Sequence, residues 1–101
     1  MKKSEWIAKV ENDAREYAEA YRPCFASYST SSYVKSFASK RWNTYKSELL
    51  DKDIEIPKNW EESIKKHFCS TFTNMTLDYI KNVLSKQPKN PYVEKAMKKD
   101  K

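Results

Sequence analysis

"SSYVKSFASKRWNTYKSELL", residues 31–50, reads as one helix with two unlike sides. On a wheel of about 100° per residue, Val34, Phe37, Ala38, Trp42, Tyr45 and Leu49 share an arc of about 140°. The opposite arc holds Lys35, Ser36, Ser39, Lys40, Asn43, Lys46 and Ser47. Arg41 falls inside the apolar arc. Its expected place is with the stem over the core and the guanidinium reaching an acid, Glu48 being near it around the axis. Just upstream lies the hydroxyl-rich run "YSTSS", where Thr30 or Ser31 can cap the helix with a side-chain oxygen.

Working back toward the N-terminus, a helix is predicted over 4–21. Ser4 serves as its cap, and Glu5 sits where negative charge suits the helix dipole. Trp6, Val10, Ala14, Tyr17 and Tyr21 form its apolar stripe. The other face is mostly acidic, with Glu5, Glu11, Asp13, Glu16 and Glu19. Pro23 ends the helix, because the residue before a proline is pushed out of helical geometry. In the connector that follows, Phe25 is expected to turn inward.

Toward the C-terminus, Asp51, Lys52, Asp53 and Glu55 form a charged break that Pro57 closes. Asn59 is the expected cap of a third helix, with Glu61 and Glu62 in its first turn. Trp60, Ile64, His67, Phe68, Thr71 and Met75 share one face. Leu77, Ile80, Val83 and Leu84 lie on a rotated one. The intervening "STFTNMT" therefore predicts a kink, or two helices over 59–73 and 76–87. Asn90, Pro91 and Glu94 can start a short helix over 91–99, and residues 98–101 are expected to fray.

The chain of 101 residues contains no glycine. Hairpins and glycine-rich phosphate cradles both depend on that residue, so sheets, P-loops and dinucleotide folds are disfavoured. The predicted fold class is all-α: one small single-domain bundle of three to five helices.

Cys24 and Cys69 make no disulfide framework and are expected as small buried hydrophobes. The N-terminus lacks the apolar run of a signal peptide and no segment reaches transmembrane length, so a cytoplasmic, membrane-free protein is expected.

Catalysis is not expected. His67 shares a stripe with Ile64 and Phe68, which suits a packed or rim position. On a helix His67 and Cys69 diverge by about 200°, too far to hold one metal ion or to work as a nucleophile pair. The run "DKDIE", residues 51–55, lacks the glycine and distal glutamate of a calcium loop. No metal or cofactor is expected.

What remains is binding. The net charge is +6, and its excess is segregated. Residues 23–50 carry four basic side chains against one acidic, and residues 88–101 carry five against two. Lysines, hydroxyls and amides are the groups that contact phosphates. The first expectation is a small non-enzymatic protein that binds DNA or RNA through Lys35, Ser39, Lys40, Asn43 and Lys46, aided by the lysine-rich tail. The alternative is a protein-binding adaptor or inhibitor, of the size phages and mobile elements direct at host proteins such as nucleic-acid enzymes. Tyr28, Tyr33 and Tyr92 would then form its patch. A homodimer variant has Ile80 and Leu84 covered by a second copy.

Overall fold

The computed structural model describes residues 2–84. Within them the regular structure is all helical and there is no strand. Three long helices, α1 (Lys3–Ala20), α2 (Ser31–Asp51) and α3 (Glu61–Tyr79), are joined by short 3-10 turns at Arg22–Cys24 and Lys58–Trp60. A π-helical turn, Ile80–Leu84, extends α3. The expected helix at 91–99, the expected fraying at 98–101, Tyr92 and the tail lysines lie outside the described residues.

Side-chain pairs give the topology. Tyr21 meets Phe37 and Tyr17 meets Tyr45, so α1 and α2 are antiparallel. Phe37 stacks on Phe72 and Lys46 reaches Glu61, so α3 reverses direction again. The result is an up–down–up bundle with α1 and α3 parallel, as His67 beside Glu11 and Arg22 over Tyr79 confirm.

The core follows the stripes. Trp6, Val10, Ala14 and Ala18 of α1 are buried, as are Val34, Ala38, Trp42, Tyr45 and Leu49 of α2. Phe25 is buried too, with its ring centroid 4.9 Å from that of Phe37. An aromatic column runs down the middle. Tyr45 stacks on Phe68 at 4.9 Å, and Trp42 and Tyr17 close on Phe68 at 5.5 and 5.7 Å. Cys24 departs from its expected burial and is exposed, because Phe25 takes the inward position after Pro23; Cys69 is half-buried.

α3 does not break at 73–76. Its buried residues Ile64, Phe68, Phe72 and Thr76 step by four, and Ile80 of the π-helical turn continues the series. The apparent rotation of the stripe came from leaving Phe72, Thr73 and Thr76 off it, whereas all three are buried. Ile80 is therefore covered within the chain, and Leu84 is partly buried against the same core.

The ends show what local chemistry decides. The Thr30 hydroxyl accepts the Tyr33 N–H at 3.1 Å, the expected cap. α1 is capped at Lys2, two residues before its expected cap Ser4: the Glu5 carboxylate accepts the Lys2 N–H at 3.3 Å and draws the first turn back. Asn59 makes no side-chain cap either. It lies in the 3-10 turn, where the Trp60 N–H donates to the Pro57 carbonyl at 3.0 Å.

α2 ends in a Schellman motif. Asp53, at φ 61°, occupies the left-handed position. Its N–H donates to the Leu50 carbonyl at 2.9 Å, and the Ile54 N–H donates to the Leu49 carbonyl at 2.8 Å. Ile54 then packs against the core that contains Leu49.

Candidate nucleic-acid interface

The wet face of α2 divides by angle. Lys35 and Ser39 flank the side toward α3, while Lys40 lies about 140° around the helix from Lys35. Lys35 and Ser39 line a shallow furrow between the two helices, together with Lys66, Cys69, Ser70, Thr73 and Asn74 of α3. Its volume is about 370 Å³. A second depression of about 550 Å³ shares Ser39, Lys66 and Cys69 with it and adds Glu62, Ser63 and Lys65. The two together make one groove with three lysines and one carboxylate on its walls.

The five residues expected to meet phosphate are thus not one unit. Lys35 and Ser39 lie in the groove. Lys40 and Asn43 are exposed on the outer side of α2. Lys46 is held by Glu61 at 2.7 Å, tying the last turns of α2 to the start of α3. The Lys46 hydrogen bond and charge lower the Glu61 carboxyl below its ordinary range. The wheel for residues 31–50 could not show Lys65, Lys66, Ser70 and Asn74, because they belong to another helix. Their spacing of four, at 66, 70 and 74, was the signal that could have found them.

The groove floor carries a thiol. Burial raises the Cys69 pKa, and Lys65 pulls weakly against that shift. His67, two residues earlier, faces the other way, with Nδ1 3.2 Å from Glu11 Oε2. The two side chains diverge as helical geometry requires. Among the described residues no three His, Cys, Asp or Glu side chains come together in a way that could hold a metal ion.

On the α1 side of α2 the acids are occupied by other groups. The Tyr45 hydroxyl donates to Asp13 Oδ2 at 2.6 Å, and Lys9 Nζ reaches the same oxygen at 3.1 Å. The Tyr17 hydroxyl donates to Glu48. Arg41, expected to reach an acid, instead lies over the rings of Tyr21 and Phe37, 4.9 and 5.0 Å from their centroids. Glu48 is taken by a phenol, so the guanidinium finds aromatic faces in its place.

Of the tyrosines expected at a protein-binding patch, Tyr28 is 86% exposed. Tyr33 is only partly so: its ring sits edge-on to Phe25 and Phe37, and its hydroxyl approaches the Cys24 carbonyl. Tyr92 lies outside the described residues. No helix among those residues is long and apolar enough to cross a membrane. The chain matches no family model, no curated protein and no solved structure.

Proposed function

We propose that this chain is a non-enzymatic nucleic-acid-binding protein that seats phosphates in the groove between α2 and α3. One observation carries the reading: Lys35 and Ser39 from α2 meet Lys66, Ser70 and Asn74 from α3 along a single furrow. Ammonium, hydroxyl and amide groups are the usual phosphate contacts. The short side chains of Ser39, Cys69 and Ser70 leave room for a nucleic-acid backbone. Lys46 contributes less than its position suggested, because Glu61 offsets its charge.

The test is fluorescence anisotropy with labelled DNA and RNA oligonucleotides over a series of salt concentrations. Binding is expected to weaken steeply with salt. The double variant Lys35→Ala/Lys66→Ala is expected to lose most of the affinity and to flatten the log–log salt slope by about two. Lys40→Ala, outside the groove, is expected to change little. Unaltered binding by the double variant refutes the reading. A protein captured one-to-one from lysate that survives nuclease treatment would favour the adaptor or inhibitor instead.

A further inference from the structure

We infer that the groove grips the sugar–phosphate backbone of a duplex and does so without regard to sequence, an inference that rests on the nucleic-acid reading above. Proteins that hold single strands add aromatic platforms on which bases stack, worth about 1–3 kcal/mol per base. Among the described residues no aromatic side chain lines this groove. The described aromatic residues lie elsewhere. Trp6, Trp42, Tyr45, Phe25, Phe68 and Phe72 are buried. Tyr17, Tyr21, Phe37 and Trp60 pack against the core, and Tyr79 lies beneath Arg22. Tyr28, the most exposed ring among the described residues, borders a different depression with Tyr33, Cys24 and Thr30.

Shape points the same way. Base edges are recessed within the grooves of a duplex, and reading them takes a projecting helix or ribbon. The site here is a shallow, open depression, bordered by Lys35, Lys65, Lys66 and Glu62, with the short side chains of Ser39, Ser63, Cys69 and Ser70 between them. A surface of that form offers no projecting element to enter a groove of the duplex, and meets its outer strand of phosphates instead. Lys66, Ser70 and Asn74 rise along α3 by about 6 Å per step. The row spans about 12 Å, room for about three consecutive phosphates of one strand.

Affinities for one labelled duplex and for each of its separated strands, in the same buffer, test the inference. The duplex is expected to bind several-fold more tightly than either strand, and A·T-rich and G·C-rich duplexes equally well. Lys66→Ala is expected to lower the duplex salt slope by about one, and Lys66→Arg to restore it. Circular dichroism checks that each variant is folded. A single strand that binds as tightly as the duplex, or a clear preference for base composition, overturns the inference and leaves the nucleic-acid reading standing. Failure of every oligonucleotide to bind overturns both.

Discussion

Phe68 is the residue on which the bundle turns. It is fully buried and touches Tyr17 of α1 and both Trp42 and Tyr45 of α2. Phe68→Ala is expected to cost about 3–5 kcal/mol, a large share of the stability of a domain this size, read as a lower denaturant midpoint. Tyr17 and Tyr45 are perturbed in one direction. Burial raises both phenol pKa values, and the carboxylates of Glu48 and Asp13, each accepting a phenol proton, raise them further. A raised folded-state value means stability is fully present below the unfolded tyrosine pKa of about 10 and is lost as pH climbs above it. In an alkaline titration, part of the tyrosinate absorbance should therefore appear together with loss of helical circular dichroism. Tyr45→Phe should weaken that coupling. The thiols separate as well: Cys24 is exposed, whereas Cys69 is half-buried with a raised pKa. A thiol reagent should label Cys24 first and Cys69 slowly, the two phases merging in denaturant.

At the scale of the element, α2 was the most legible part of the chain. A cap, a stripe and a wet face all lie within one continuous run. Thr30→Ala is expected to cost about 1 kcal/mol, since the Tyr33 N–H would lose its acceptor. α3 was harder to read, because threonine has both a methyl and a hydroxyl. Thr73 and Thr76 fill core positions that a hydropathy pattern assigns to water. Asn59 misled for a different reason: capping depends on where the first helical turn closes, and the chain tightens into a 3-10 turn there. The link between α2 and α3 carries its own pH signature. The Glu61 pKa is lowered by Lys46, so the stabilisation holds above the unfolded glutamate value of about 4.3 and fades as acid protonates the carboxyl. In thermal melts, Lys46→Ala should reduce the acid-side loss of stability, and added salt should blur the difference.

At the scale of the whole molecule, the all-α class was readable because it rests on composition and periodicity. The candidate site was only half readable. Lys35 and Ser39 lie on the wheel of residues 31–50, but the groove exists only once α3 lies antiparallel to α2, bringing Lys66 and Asn74 opposite them. Which flank of a helix meets its neighbour is a property of packing, and no single-segment pattern contains it. One feature bears on the molecule's tolerance to heat. A chain with no glycine still places Asp53 in the left-handed region where a β-carbon is crowded. Asp53→Gly would relieve that crowding at a helix end where glycine is the favoured residue. Its greater freedom in the unfolded chain offsets part of the gain. A net benefit of about 0.5 kcal/mol would raise the melting temperature by roughly 2–4 °C. The first glycine placed in this chain would thus make it hardier, the reverse of what adding one to a helical protein ordinarily does.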